Sequence, residues 1–499
     1  MKQIKKFISK GTLAIVGTIF IASCSPNFSN ITGWNYNDPK NGGFQQINNY
    51  EQETGPGLVL IEGGTFTMGR TEQDVMYEWA AIPRRVTVSS FYMDEAEISN
   101  LNYLEYLFWT RNVYGADYDA VYKKALPDTL VWRDKLAYNE PYVDYYLRHP
   151  AYQDYPVVGV NWKQATDFCA WRTDRVNEFI LVREGLIEFD PASWVNENNF
   201  NTEAYLAGQY EGLIIKNIPD LNPKSSGERK VRMEDGILLP RYRLPTEAEW
   251  EFAAYSLIGN SAMSLITERK IYPWNGSYVR NSDEKYLGQM MANFKRGRGD
   301  NMGVAGALND NADVTAPVYS YWPNDYGLYN MAGNISEWVM DVYRPLTNED
   351  KSDFRSFRGS VYQTYERDEE CVIAEKDSLG HLKMRDVQLD KDNLAERRNY
   401  RRADNKNVLD GDKESQVDGW TDPLDTGEGS KEESASMYDY SLNSMVNDRA
   451  RVYKGASWKD RAYFMNPGTR RYLDEKMSTD AIGFRCAMVR VGSPVGLGK

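Results

Sequence analysis

The sequence is poor in the residues that most often perform metal and redox chemistry. Its 499 residues include two histidines, His149 and His381, and four cysteines. A site built from three histidines is therefore impossible within one chain. If Cys24 carries a lipid, as argued below, three cysteines remain, and an odd number cannot form a fully paired set of disulfides within the chain.

The chain also lacks an excess of positive charge. It has 59 Lys and Arg against 72 Asp and Glu, which gives a net charge of −13. Such acidity argues against binding a polyanion through a general electrostatic footprint, so we expect no nucleic-acid partner. Hydrophobic residues make up 41% of the chain and aromatic residues 13%, which is enough for a folded core rather than a disordered protein.

The N-terminus has the pattern of a targeting segment. Several lysines precede an apolar run at residues 11–20, which is too short to cross a membrane comfortably. The run is followed by Ile-Ala-Ser-Cys, which resembles the bacterial lipobox. We predict that residues 1–23 are a lipoprotein signal peptide and that Cys24 carries the lipid anchor. The alternative is an ordinary secretory peptide with an incidental cysteine.

Composition divides the rest of the chain into a tether, a domain and a tail. Residues 24–55 are polar and rich in Asn, Gly and Gln, and we interpret them as a lipid-anchored tether. The folded domain is predicted at residues 56–490, with a tail at residues 491–499. Two insertions are expected within the domain, at about residues 173–240 and 345–450.

Hydrophobic patterns within the domain favour a mixed architecture. Strands are predicted at residues 57–61, 65–68, 86–92 and 156–160, and helices at residues 101–108 and after Asn161. Thr246 and Glu249 form the sequence of a capping box at a further helix start. Separate strands and helices of this kind predict an α+β fold. Cys169 on an apolar helix face and Cys486 in a predicted strand are expected to be structural core thiols.

Four short sequence motifs, called phrases below, occur in a fixed order and resemble those of a known family. They are GGTFTMG at residues 63–69, RLPTEAEWE at 243–251, GLYNMAGNISEW at 327–338 and GFRC at 483–486. Together they resemble the formylglycine-generating enzymes, a family of sulfatase-modifying factors. The resemblance covers roughly residues 56–490 and implies the fold of that family, which is related to C-type lectins, here with large insertions.

The same resemblance identifies what the chain lacks. It implies that a copper-binding pair of catalytic cysteines should lie between Gly455 and Gly483, where this sequence has no cysteine. Asp460, Ala462 and Phe464 in this stretch can neither bind copper as thiolates nor attack a substrate. Iron-dependent relatives need a histidine cluster, which the chain cannot form. We therefore expect no copper, no iron, no catalytic residue and no enzymatic activity.

Calcium is the cofactor that the resemblance favours. One structural site would use the Asn293 side chain, the Phe294 carbonyl, Asp310 and the Ala312 carbonyl, and a second would use Asn330, the Gly333 and Ile335 carbonyls and Glu337. Oxygen ligands of this type suit calcium. The alternative is that these polar groups only cap turns, which Asn and Asp do well.

Shorter phrases narrow the expected function. Residues 33–39, 55–59, 125–132 and 146–150 resemble the gliding-motility lipoproteins of the Bacteroidetes type IX secretion system. This resemblance implies a non-catalytic scaffold in the outer membrane, with other components of that machinery as partners, including a sister lipoprotein and its ring partner. Surface-exported lipoproteins of the Bacteroidetes tend to carry acidic residues just after the lipidated cysteine. Residues 25–30 contain no acidic residue, which favours an anchor that faces the periplasm.

Two alternatives remain open. One is a sulfatase-modifying-type enzyme with an unrecognised site. The other is a lectin-like module that binds glycan or peptidoglycan, since the chain has 13 Trp and 35 Tyr.

Overall fold

A computed structural model describes most of the predicted domain. The described residues are 28–47, 51–69, 81–258, 270–297, 312–343, 356–359, 361, 363–386 and 449–492. The predictions for Cys24, for residues 1–23 and for Asp310 lie outside these residues.

The described strands and α-helices occur in blocks along the chain: four strands, five helices, three strands, one helix and seven strands, in that order. The strands are β1 (Leu58–Ile61), β2 (Gly64–Met68), β3 (Arg84–Val88), β4 (Phe91–Asp94), β5 (Ile218–Pro219), β6 (Glu228–Arg229), β7 (Tyr242–Arg243), β8 (Ser336–Val342), β9 (Gln363–Tyr365), β10 (Met384–Asp386), β11 (Ala450–Lys454), β12 (Arg471–Asp474), β13 (Ile482–Gly483) and β14 (Ala487–Val489). The helices are α1 (Asn100–Tyr114), α2 (Asp119–Ala125), α3 (Glu140–Tyr145), α4 (Trp162–Arg183), α5 (Thr202–Leu206) and α6 (Glu247–Tyr255). The mixed helices and sheets confirm the predicted α+β class.

Two four-stranded sheets organise the described part of the domain. One has the order β1-β4-β14-β7 and is antiparallel throughout. The other has the order β12-β11-β8-β13, in which only the β13–β8 pair is parallel. Both sheets combine strands from the start or middle of the domain with strands from its end. Residues 450–489, which supply β11 to β14, are therefore an integral part of the fold.

The predicted strand at residues 86–92 is two strands. β3 pairs with β2, while β4 lies between β1 and β14 in the first sheet. The chain changes sheets at Ser89 and Ser90, where Ser90 Oγ accepts a hydrogen bond from the backbone N–H of Gly63 at 3.0 Å. The alternating pattern predicts extended backbone, which is confirmed, but the prediction of one continuous strand is wrong.

The segment at residues 156–160 is buried, as its composition indicates, but it is not a ladder strand. Its backbone N–H groups bond to separate partners, from Val157 to the carbonyl of Ile98 and from Gly159 to that of Thr479, both at 2.9 Å. Gly159 has a φ of +76°, and a Cβ there would lie 2.3 Å from the carbonyl oxygen of Asp128. The segment is therefore a buried connector shaped by this left-handed glycine.

Capping boxes start the three longest described helices. The predicted box is confirmed at α6, where Thr246 Oγ1 accepts from the Glu249 N–H at 3.2 Å and the Glu249 carboxylate accepts from the Thr246 N–H at 2.9 Å. Ser99 and Asn161 cap α1 and α4 in the same way, each with an amide residue at the third helical position. Local sequence therefore determines where these helices begin.

The predicted helix at residues 101–108 is confirmed as part of α1, but its buried face is not the leucine stripe. Tyr103, Tyr106 and Leu107 face the core, whereas Leu101 and Phe108 are exposed. The tyrosines pack against Phe168 of α4, and Tyr103 also packs against Phe484. The aromatic contacts between α1 and α4 thus form the centre of the largest apolar cluster.

The described part of the second insertion packs against the domain. β9 and β10 form a hairpin, and the loop between them accepts a hydrogen bond from Tyr114 Oη at the Leu379 carbonyl, at 2.9 Å. Leu379 also joins a small apolar cluster with Trp109, Trp171 and Trp194. None of the helices in the described residues is long and apolar enough to cross a bilayer.

Candidate functional site

The loop that leads into β8 turns polar side chains toward the interior. Asn330, Gly333 and Asn334 have φ values of +53°, +80° and +64°. At Gly333 a Cβ would lie 2.4 Å from the backbone oxygen of Asn293, so only glycine permits this approach. Asparagine tolerates the left-handed region better than most residues, which explains the other two positions. Both asparagine side chains are consequently buried.

Glu337 forms a fully buried ion pair with Arg485. Arg485 donates from Nε to Oε2 and from Nη2 to Oε1, both at 2.7 Å, and the indole N–H of Trp250 donates to Oε2 at 2.7 Å. Arg485 also donates to the backbone carbonyls of Tyr329, at 2.8 Å, and Asp94, at 3.2 Å. This pair joins three of the recognised phrases at one buried point.

Glu97 is a second buried carboxylate beside this pair. Asn330 and Asn334 donate to its Oε2 from their side-chain nitrogens at 2.9 and 2.8 Å, and the Ile335 N–H donates to Oε1 at 3.3 Å. Burial, with a further contribution from the negative charge of Glu337, raises the pKa of Glu97 from 4.5 to about 8. Without a bound cation, Glu97 is therefore mostly protonated at neutral pH.

Asn334 connects Glu97 to the first group of predicted calcium ligands. Its Oδ1 accepts from Asn293 Nδ2 at 3.3 Å and from the Ala316 N–H at 2.7 Å. Asn293 Nδ2 also donates to the Val314 carbonyl at 2.8 Å. Residues of the two predicted calcium sites thus belong to one continuous network.

The structure brings the two predicted sets of calcium ligands together to different extents. Asn330 and the Ile335 N–H bond to Glu97, Glu337 pairs with Arg485, and Gly333 lies against the Asn293 backbone oxygen, so the role of these residues as calcium ligands stays a prediction. Of the other set, Asn293 reaches the network through Asn334. Phe294 and Ala312 are buried, and Asp310 lies outside the described residues. The structure therefore brings together most of the second set and only part of the first.

This network holds oxygen ligands of the kind that calcium takes, but both carboxylate oxygens of the predicted ligand Glu337 already accept from Arg485 and Trp250. It contains two carboxylates and only one guanidinium, together with amide and carbonyl oxygens. Among the described residues, no three His, Cys, Asp or Glu side chains lie close enough to hold a metal by themselves. Calcium would therefore depend on Glu97, on the asparagine amides, which can rotate to present oxygen, and on backbone carbonyls.

Sequence reasoning missed three residues of this network. Asn334 and Arg485 lie inside phrases that carried the family resemblance, but no role was assigned to them. Glu97 had a weaker signal, as a carboxylate in the otherwise buried stretch between β4 and α1. Its meaning depends on Asn330 and Asn334, more than two hundred residues away along the chain.

Asp460 lies in the stretch where the resemblance implies catalytic cysteines. Its carboxylate accepts from both terminal nitrogens of Arg471, at 2.8 and 2.9 Å, and from the Ser457 N–H and Oγ, at 2.8 and 2.7 Å. Burial opposes ionisation, but the hydrogen bonds and charge of Arg471 hold the pKa of Asp460 below its usual value. An ionised, fully paired carboxylate thus occupies this position.

Two of the remaining thiols face each other in the core. Cys169 Sγ and Cys486 Sγ are 3.3 Å apart, and both are buried. Burial, followed by the neighbouring Cys169 thiol, raises the pKa of Cys486 well above its usual value, so its reactive thiolate is disfavoured. Cys486 lies between β13 and β14 rather than within a strand, which corrects the sequence prediction. Cys371 is exposed, and no second cysteine of the described part lies beside it.

A second buried charge network holds α6 against β11. Lys454 Nζ donates to Glu251 at 3.0 Å, and Arg470 Nε donates to Glu247 at 2.6 Å. The backbone N–H of Glu247 donates to Asp341 at 2.7 Å. Burial and the charge of Glu247 raise the pKa of Asp341 to about 7. These charges pair with one another within the core, and we assign them a structural role.

Comparisons with known proteins agree with the sequence phrases. Residues 43–383 match the family described as sulfatase-modifying factor enzyme 1-like domain. The formylglycine-generating enzyme of Mus musculus is 26% identical over 284 residues, which cover 57% of this chain and 58% of the mouse protein. The enzyme of Thermomonospora curvata is 27% identical over 291 residues, covering 58% of this chain and 73% of that protein. The chain thus spans just over half the length of the mouse relative.

Other similarities are more partial. A mouse protein named inactive C-alpha-formylglycine-generating enzyme 2 is 31% identical over 121 residues, 24% of this chain and 31% of its own length. Among solved structures, PvdO from Pseudomonas aeruginosa aligns with a TM-score of 0.41 and 16% identity, covering 87% of this chain and 94% of that one.

Proposed function

Because the chain belongs to the sulfatase-modifying factor enzyme 1-like domain family, we propose that it is a non-catalytic member that acts as a scaffold. The observation that carries this proposal is the state of Asp460. In the stretch where the family resemblance implies a reactive thiol, this chain has a carboxylate held by Arg471 and Ser457. A carboxylate cannot replace a thiolate as a copper ligand and nucleophile.

The remaining thiols support the same proposal. Cys169 and Cys486 are close enough to interact, but they are buried in the core and out of reach of a substrate. Cys371 is exposed, but its position in the second insertion gives it no neighbouring thiol within the described residues. The mouse protein named inactive C-alpha-formylglycine-generating enzyme 2 indicates that loss of activity has a precedent among the relatives.

The finer proposal concerns the cellular role. We infer from the shorter phrases that the chain is the gliding-motility lipoprotein GldJ, a sister of GldK, and serves type IX protein secretion. Cys24 would anchor it in the outer membrane, facing the periplasm, with GldK-like lipoproteins and their ring partner as neighbours. An anchored scaffold needs surfaces for partners rather than a catalytic centre, which agrees with the paired state of Asp460.

We also propose that calcium stabilises this scaffold at the Glu97 network. Glu97 is neutral only because its charge is buried beside that of Glu337, and a divalent cation would remove this penalty. Calcium should therefore raise the melting temperature, by an amount set by RT ln(1 + [L]/Kd). The Glu97→Gln variant should respond less. Identical melting of the wild-type protein in chelator and in millimolar calcium would contradict this proposal.

The scaffold proposal is tested by removing the thiols. A chain with Cys169, Cys371 and Cys486 replaced by Ala should still support secretion and gliding, because none of these thiols would react. The matched control is Cys24→Ser, which should release the protein from the membrane fraction and abolish both functions. Loss of function in a folded triple variant, or oxidation of a cysteine-containing peptide by the purified protein with copper and oxygen, would favour the enzyme instead.

A further inference from the structure

A groove with an aromatic end lies between α1 and α4. One cavity of about 550 Å³ is lined by six aromatic side chains, Phe108, Trp109, Trp171, Phe179, Phe189 and Trp194. Phe108, Phe179 and Phe189 remain 66%, 61% and 53% exposed. Three large aromatic side chains exposed side by side form an apolar patch of the kind that marks a binding site on soluble proteins.

The helical repeat of α4 produces one wall of this aromatic end. Trp171, Arg175 and Phe179 recur at intervals of four residues, so they share one face of the helix. The guanidinium of Arg175 lies over the Trp109 ring, 4.5 Å from its centroid, and pairs with Glu178. This stripe lines the groove.

A polar cavity of about 480 Å³ continues the groove. It shares Glu105, Trp171 and Arg175 with the aromatic cavity, so the two adjoin. Asp94 in this cavity is neutralised by Arg172, with two hydrogen bonds of 2.8 Å. The exposed carboxylates of Glu105 and Asp154 form no ion pair with any residue that the structure describes. The second half of the groove therefore presents uncompensated negative charge.

Three buried nitrogen atoms at the aromatic end lack acceptors among the described residues. They are the indole nitrogens of Trp109 and Trp171 and the Nε of Arg175. Buried donors without acceptors are rare in folded proteins because each loses its bonds to water. An occupant with carbonyl oxygens that parts the aromatic side chains would supply acceptors to these donors.

We propose that this groove binds a segment of a partner protein in which apolar side chains stand next to lysine or arginine. The apolar residues would fill the aromatic cavity, the basic residue would reach Glu105 and Asp154, and the backbone carbonyls would face the unpartnered donors. Unlike charges across such a contact steer association and select the partner.

The composition of the groove favours this occupant over others. A sugar needs many hydrogen-bonding side chains, but apart from its indoles the aromatic cavity has only three polar side chains, Glu105, Arg175 and Glu178, and the last two pair with each other. An anionic lipid would fill the aromatic end but place its headgroup against free carboxylates. A second copy of this acidic chain would bring further negative charge to the same place.

The test uses the full-length protein and a phage-displayed library of random peptides. Selected peptides should be enriched in Lys or Arg beside Phe, Leu or Trp, and a synthetic peptide of the selected sequence should bind with an affinity that salt weakens. Both Phe179→Ser and Glu105→Lys should weaken binding about tenfold or more, measured by fluorescence anisotropy. Both side chains are exposed, so unchanged melting temperatures will show that these variants fold.

Matched controls separate the groove from general stickiness. Leu287 is 67% exposed outside both cavities, and Glu284 is an exposed acidic residue beside it. Leu287→Ser and Glu284→Lys should leave peptide binding unchanged. The proposal is overturned if no peptide is selected, if the selected peptides lack basic residues, or if the control variants weaken binding equally. It is also overturned if Phe179→Ser instead abolishes binding of a fluorescent fatty acid or self-association of the chain.

Discussion

Replacing Arg485 with Met should destabilise the folded protein by about 3–5 kcal/mol, the usual cost of removing one partner of a buried ion pair. Arg485 and Glu337 are both fully buried and share two hydrogen bonds of 2.7 Å. After the substitution, Glu337 would retain the indole N–H of Trp250 as its remaining strong donor. The Tyr329 and Asp94 carbonyls would also lose a donor, so the loss should lie toward the upper end of this range.

A matched control exists at the protein surface. Arg183 and Glu53 form the same two-bond contact, with both distances at 2.7 Å, but their side chains are 41% and 52% exposed. Water can replace this interaction, so Arg183→Met should cost less than about 1 kcal/mol. The comparison therefore separates burial from hydrogen-bond geometry.

Urea denaturation followed by tryptophan fluorescence will measure both variants. In Arg485→Met the buried Glu337 carboxylate is left without its cation, which is the source of the expected deficit. Adding Glu337→Gln should restore part of the loss. A deficit no larger than that of Arg183→Met would refute the reasoning.

Three further predictions use the same measurements. The pKa of Glu97 is raised from 4.5 to about 8, so in chelator its contribution is fully present below pH 4.5 and is lost as pH rises through about 8. Glu97→Gln should therefore gain up to about 5 kcal/mol relative to the wild type across this range, and parallel pH profiles would contradict it. In the folded protein without its signal peptide and with Cys24 acylated, a maleimide should label Cys371 and leave Cys169 and Cys486 unmodified until urea is added; rapid labelling of all three would show that the core pair is accessible. Thr246→Ala should cost about 1 kcal/mol by removing the cap of α6, and unchanged stability would mean that the capping box contributes little.

Local sequence was sufficient wherever a few neighbouring residues decide the structure. The capping box at Thr246 and Glu249 was predicted from four letters because both of its hydrogen bonds lie within one helical turn. The four ordered phrases predicted the family because they occur together in a fixed order, and some of their residues are locally constrained, such as the capping pair Thr246 and Glu249 and the left-handed Gly333. The α+β class could be predicted from hydrophobic periodicity, because this depends on the order of residues within each helix or strand and not on what that element contacts.

Periodicity could not identify which surface each element would contact. It predicted helix α1, but it could not show that tyrosines, rather than Leu101 and Phe108, would face Phe168. It identified an extended pattern through residues 86–92, but the transfer of the chain from one sheet to the other at Ser90 depends on distant strands.

Only the tertiary structure identified the candidate site. Glu97, Asn334 and Arg485 are each separated by more than a hundred residues in sequence, and the raised pKa of Glu97 exists only because folding buries it beside Glu337. The aromatic groove arises in the same way, from faces of α1 and α4 that the core leaves free. Sequence determined the local conformations and the family; the environment of each charge was decided by packing, because burial and proximity are properties of the whole folded chain.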